Sequence, residues 1–224
     1  MKNTTFASAC IASVVLISNN GTVRGQFPSL TALENDQPIT LYVQYPNWAS
    51  ATTSGSSFSY GYNNRMYLST SPTLDTSSYY KPNLLGGSME YDVDLSMVSC
   101  GCVSALYTIL MPAVDNNSDP FKYCDANQVG GHWCPEFDIQ EGNRHAFHTT
   151  AHECTAPDAS GKYHSCDRGG QCTADVYYDA PGQYGHGSQY VINTENPFNV
   201  KVEFQVDAND VFIGYRMTLT QGSN

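Results

Sequence analysis

Short runs of Val, Ile, Tyr, Phe and Thr, each cut off by Gly, Pro, Asn, Asp or Ser, leave this chain almost without helical periodicity. Strands are predicted at 39–45, 57–61, 65–69, 88–95, 105–111, 136–140, 189–193, 200–206 and 211–219. From Met89 to Leu95 the residues alternate apolar and acidic, so one face is predicted to be packed and the other solvated. Val206-Asp207-Ala208-Asn209-Asp210-Val211 reads as a hairpin turn. Residues 112–135 and 142–187 read as loop. There is no internal repeat, and 224 residues fit one all-β domain, a two-sheet sandwich.

The first residues read as a secretory signal peptide: Lys2, then an apolar run from Ala7 to Ser18 that is too short to span a bilayer. The expected division is a signal at 1–25 and a single domain at 26–224. Losing 1–25 removes Lys2 and Arg24 and no acid, moving the formal charge from −11 to −13. Such a chain offers no electrostatic footprint for nucleic acid or an anionic membrane. A secreted monomer with a neutral partner is the expectation. Asn20 and Asn116 head glycosylation motifs. Of eight cysteines, Cys10 leaves with the signal, and the odd remainder predicts disulfides with one thiol left over. Cys100-Gly101-Cys102 is too tight for a zinc knuckle.

The chemistry concentrates in Glu136-Phe137-Asp138-Ile139-Gln140-Glu141. On a strand, Glu136 and Asp138 share a face, while Glu141 would point the other way. One β-bulge between Asp138 and Glu141 returns it to their side. Three carboxylates on one wall suit glycoside hydrolysis, in which a retaining enzyme holds its nucleophile and acid/base about 5–5.5 Å apart. The alternative is a solvated, polar strand end. His145, His148 and His152 have a spacing that a helix or tight loop could turn into a metal site, but no helix signal surrounds them, and neither metal nor cofactor is expected.

An ordered series of motifs resembles glycoside hydrolase family 7, the fungal cellobiohydrolases and endoglucanases. It comprises Asn47-Trp48, the 90–95 strand followed by Cys100-Gly101 and Ala105-Leu106-Tyr107, Tyr123-Cys124-Asp125, Cys134, the 136–143 acid motif, His152-Glu153-Cys154 and Gly169-Gly170-Gln171-Cys172. The resemblance runs from about Ile39 to Gln221, and the family's last third has no counterpart in these residues. It departs at Gln140, where the family has tryptophan, and at Val103, where it has asparagine. It implies a concanavalin-like β-sandwich, or jelly roll, with a concave substrate face. It also implies Glu136 as nucleophile, Asp138 as its modulator, Glu141 as acid/base and His152 in the sugar cleft. Cys124–Cys134 and Cys154–Cys172 are the disulfides it implies.

Sugar contacts are expected from Trp48, whose ring can stack on glucose, and from Tyr107, Asp125 and Arg168. Each also has a structural reading: core packing for Trp48 and Tyr107, neutralisation of an acid for Arg168. Trp133 is expected to pack on a disulfide. The leading expectation is a secreted, retaining, endo-type β-1,4-glucan hydrolase acting on cellulose or a related β-glucan. A catalytically inactive carbohydrate-binding or host-interaction protein on the same scaffold stays open. So does a hydrolase or lyase of another polysaccharide, although few Lys and Arg disfavour a lyase.

Overall fold

The computed structural model describes residues 26–115 and 118–222. The signal-peptide expectation and both glycosylation motifs' asparagines, Asn20 and Asn116, lie outside the described residues. In chain order the strands are β1 (Ser29–Glu34), β2 (Gln37–Gln44), β3 (Ala51–Ser54), β4 (Ser57–Tyr60), β5 (Tyr67–Ser69), β6 (Ser88–Val93), β7 (Ser104–Ile109), β8 (Glu136–Gly142), β9 (Phe147–His152), β10 (Cys172–Asp175), β11 (Tyr184–Gly185), β12 (Ile192–Asn193), β13 (Phe198–Val206) and β14 (Phe212–Thr220). A single turn of α-helix, α1 (Val176–Asp179), follows β10.

Two sheets make the sandwich. One has the order β10-β9-β8-β7 and the other β14-β13-β6; β1-β2-β5 and the β3-β4 hairpin flank them. On β13 Phe198, Val200 and Val202 are buried and alternate with Asn199, Lys201 and Glu203, the period of a half-buried strand. Phe198 and Val200 join Leu95, Val98, Tyr184, Ile192 and Phe147 of β9 in the main core. Phe147 and Phe198 meet edge-on at 6.1 Å, and Phe137 of β8 lies 5.6 Å from Phe204 of β13. Burying such a ring contributes about 1.5–3 kcal/mol. The acids of β6, Glu90 and Asp92, face solvent. In the 207–210 turn, Asp207 accepts hydrogen bonds from the backbone of Asn209 and Val211, and Asp210 takes φ of 60°.

The loop reading of 142–187 is corrected, because β9 and β10 lie within it. The expected strand at 189–193 reduces to the two residues of β12. β9 reads Phe-His-Thr-Thr-Ala-His, too polar to announce itself; it becomes a strand because β8 and β10 pair with it on both sides. β1 and β3 were likewise not expected.

A polar chain crosses the interior where β8 meets its neighbours. Gln140, 2% exposed, donates from Nε2 to the carbonyl and Oγ of Ser104 and accepts from Tyr91 Oη at 3.2 Å, while Ser104 Oγ also pairs with Tyr60 Oη at 2.9 Å. Gln140 thus satisfies groups from β6 and β7 together. Gln140→Leu is expected to keep the volume but strand these partners, lowering stability by about 1–3 kcal/mol in urea unfolding. A variant as stable as the parent would show that water replaces the amide.

Cys124 and Cys134 form a disulfide, as the family resemblance implied. The Cys154–Cys172 expectation is overturned: Cys154 bonds to Cys166, and Cys172 is a free, exposed thiol, as is Cys100. The reason is register. Cys172 lies on β10 opposite Ala151, whereas Cys154 and Cys166 face each other across an antiparallel bridge beyond the end of β9.

Candidate active site

The acids owe their common face to one extra residue. Along β7, Tyr107 pairs with Asp138 and the next residue back, Leu106, pairs with Gln140, so Ile139 has no partner there. The β8–β9 register shifts at the same place, between Asp138 and Glu141. Phe137, Gln140 and Gly142 therefore point to the core, while Glu136, Asp138 and Glu141 point away from the second sheet. Opposite them on β9 stand His152, Thr150 and His148 in turn. The site is a ladder of cross-strand pairs, whose side chains lie close enough to interact directly.

Glu136 is buried, and its Oε2 accepts the Ala126 N–H at 3.0 Å. Burial raises its pKa, offset in part by that hydrogen bond, with the charge of Asp125 adding to the rise. Asp138 is pushed up to about 7, first by burial and then by the charges of Glu136 and Glu141, with His152 opposing. His152 Nε2 lies 3.0 Å from Asp138 Oδ2, and its Nδ1 lies 2.7 Å from the carbonyl of Asp167. A carbonyl only accepts, so Nδ1 carries a hydrogen and Nε2 turns to Asp138. A proton kept by Asp138 would lie on this contact, within reach of both groups. Glu141, on the more open side, has its Oε2 2.7 Å from His148 Nε2.

The loop after β9 holds this arrangement. The Asp167 carboxylate accepts the N–H groups of Gly169 and Gln171, and Cys154–Cys166 anchors the loop's start. Gly170, at φ of 66°, packs against Thr150 and His152, and a Cβ there would collide with the Thr150 methyl. Asp138, Glu141, His148, Thr150 and His152 line a surface depression of about 340 Å³ with Asn127, Arg168 and Thr173.

Arg168 is exposed on that rim, bonded to Gln128 and set 4.7 Å over the Trp133 ring. Tyr107 is the cross-strand partner of Asp138 and hydrogen-bonds to Tyr123. Asp125 is buried, and its Oδ1 accepts the N–H groups of Asn127 and Val129, organising the turn that presents Ala126 N–H to Glu136. Trp48 is 61% exposed, in the connection between β2 and β3, and does not line the depression. His145 does not join His148 and His152; it lies against His186, with ring centroids 6.3 Å apart. Sequence reasoning missed the pairing of His148 with Glu141, the Ala126 amide and Arg65, whose guanidinium lies 3.6 Å over Tyr123. The signal available for His148 was the alternation His148, Thr150, His152. Among the described residues, Glu136, Asp138 and His152 form the one group offering three donor atoms within 4.8 Å of one another, a spacing that could hold a cation.

No family model matches the chain. It is 26% identical over 174 residues to Endoglucanase 1 of Pyricularia oryzae, covering 65% of this chain and 41% of that protein. An endoglucanase I solved with cellobiose superposes with a TM-score of 0.69 at 19% identity, over 90% of this chain and 72% of that one. A GH7 family cellobiohydrolase from Daphnia pulex does so with a TM-score of 0.66 at 17% identity, over 90% and 71%. The chain spans about two fifths of the length of the curated relatives it matches.

Proposed function

From a chain with the fold of glycoside hydrolase family 7 and with endoglucanases among its relatives in sequence, we propose a secreted, retaining β-1,4-glucan hydrolase of endo type. The observation that supports it most is the bulged β8, which sets Glu136, Asp138 and Glu141 on one face with separate partners for each. Glu136 is the nucleophile: the Ala126 N–H occupies one carboxylate oxygen and leaves the other to attack the anomeric carbon. Glu141 donates a proton to the leaving oxygen, then takes one from the water that releases the glycosyl-enzyme.

Asp138 and His152 hold one proton between them beside Glu136, so the site carries one negative charge fewer than three ionised acids would. Asn127, Thr150, Thr173 and Arg168 offer polar contacts for sugar hydroxyls, and the exposed Trp48 ring offers a stacking face further along. An open depression suits attack within a chain. The disulfides suit an oxidising compartment.

The test is proton NMR of cello-oligosaccharide hydrolysis. Retention requires the β-anomer of the new reducing end to appear first and the α-anomer to grow in by mutarotation. The α-anomer appearing first would overturn the double-displacement reading, and binding without turnover would overturn the hydrolase reading.

A further inference from the structure

Trp133 takes no part in the mechanism above, yet three segments meet at it. Its backbone bridges to Asp125 and to Tyr163, and Cys134 beside it is fixed by the disulfide to Cys124. Its ring lines a second cleft of about 300 Å³, which shares no lining residue with the catalytic depression. Arg168, which lines the depression, lies 4.7 Å over the same ring, so Trp133 and Arg168 together stand between the two. We propose that the second cleft is a binding site for a neutral phenol: a flat apolar ring carrying one hydroxyl.

The walls select the apolar ring. Leu110, Met111, Pro112 and Val114, on the chain leaving β7, share the cleft with Trp133 and Tyr163. Leu110 is 59% and Val114 54% exposed, so large aliphatic side chains stand in water at one place. The loop on the other side is preformed. Asp158 Oδ1 accepts the N–H groups of Ser160 and Lys162, and the Gly161 N–H bonds to the Asp158 carbonyl. A Cβ on Gly161, at φ of 84°, would lie 3.7 Å from Val114, so bare backbone forms part of this wall. An apolar cavity of about 150 Å³ already holds benzene, and about 300 Å³ leaves room for a ring with a short substituent.

The charged groups of the cleft select the hydroxyl. Asp115 links them: its Oδ1 lies 2.8 Å from His132 Nδ1 and its Oδ2 lies 2.6 Å from Lys162 Nζ. The carboxylate accepts from both, so Nδ1 carries a hydrogen and Nε2 of the neutral ring is an acceptor. The ammonium keeps two N–H groups beyond the one given to Asp115. One carboxylate and one ammonium sum to zero, so neither an anion nor a cation finds an unbalanced partner. A hydroxyl, which both donates and accepts, matches such an end. A saccharide does not match the walls, because hydroxyls around its whole rim would be left unpaired against aliphatic side chains. The depression beyond Trp133 is the reverse, lined by carboxylates, threonines and Asn127.

The experiment titrates the full-length protein with 4-ethylphenol and follows the indole N–H signals by proton–nitrogen NMR. The sequence has two tryptophans, so Trp48→Phe assigns both signals. The Trp133 signal is expected to move saturably, with a Kd of about 1 mM or tighter for a ligand of this size, while the Trp48 signal does not move. Ethylbenzene, which lacks the hydroxyl, and 4-ethylbenzoate, which carries a charge, are each expected to bind at least about tenfold more weakly. Asp115 is exposed, so Asp115→Ala is expected to keep the fold while leaving Lys162 unbalanced. In that variant 4-ethylbenzoate is expected to bind more tightly than 4-ethylphenol. No saturable shift up to about 10 mM, ethylbenzene binding as well as 4-ethylphenol, or an unchanged order in Asp115→Ala would each overturn the proposal. So would displacement of 4-ethylphenol by cellobiose, which would place the phenol in the catalytic depression. These readouts need no turnover, so they decide the second cleft separately from the hydrolase reading.

Discussion

Glu136→Gln is expected to abolish turnover of every β-glucan and every aryl glycoside, whereas Glu141→Gln fails selectively. On the proposed roles, the first removes the atom that would bond to the anomeric carbon, so no leaving group rescues it. The second removes a proton donor. General acid catalysis contributes about 10²–10⁴ in rate, and that is the loss expected on cello-oligosaccharides. An aryl cellobioside with a good leaving group should still form the glycosyl-enzyme, giving a burst of phenolate followed by slow release. Azide, small enough to attack without a general base, should speed that release. The partners of the two residues support the division. Glu136 is buried with one oxygen held by the Ala126 amide, and Glu141 lies nearer solvent with His148 against it. Equal losses for both variants on all substrates, with no azide effect on Glu141→Gln, would remove the basis for these roles.

Asp138 is expected to make the protein's stability fall as pH rises from about 4 to about 7. Its folded pKa of about 7 lies above the value of about 3.9 in an unfolded chain. The folded state therefore binds the proton more tightly; the stabilisation is complete below about pH 4 and is lost as pH climbs through about 7. Glu136, also raised by burial, adds to the loss with the same sign. Carboxylates whose pKa is lowered, such as Asp167 held by the Gly169 and Gln171 amides, work below about pH 4 and do not offset it. Asp138→Asn mimics the protonated acid and can donate from its amide to His152 Nε2. It is expected to flatten the slope and to gain on the order of a few kcal/mol over the parent at pH 7. The same variant should lose activity, because an amide fixes the charge balance beside Glu136. Urea midpoints across pH 4–7 check this, and a slope unchanged in Asp138→Asn would show that the loss originates elsewhere.

Much of the site was legible from local pattern alone. The spacing of Glu136, Asp138 and Glu141 demanded a bulge if the three were to share a face, and the bulge sits between Asp138 and Glu141. The alternation of β6 announced its packed and solvated faces, and Asp207 to Asp210 announced a turn. These features depend on neighbours in the chain, which is why they could be read there. β9 could not, because its polar residues face the depression on one side while Phe147 and Thr149 fill the interior on the other. Its strand identity comes from hydrogen bonds to its hairpin partner β8 and to β10, beyond a long loop, and so lies outside its own residue pattern.

By itself the sequence determined an all-β chain, the strand that carries three acids and the need for one inserted residue among them. Strand period and bulge geometry are local consequences of backbone stereochemistry. Only the tertiary structure decided which side chains those acids meet. The register left by Ile139 sets Glu141 opposite His148 and Glu136 opposite His152, and a one-residue slip would have turned each acid into the core. It also decided that Cys154 takes Cys166 rather than Cys172, since a disulfide follows distance in space and the chain between them can close either loop. Proton sharing between Asp138 and His152 is tertiary for the same reason: it needs burial, two neighbouring carboxylates and the Asp167 carbonyl, brought together by β8, β9 and the loop that follows.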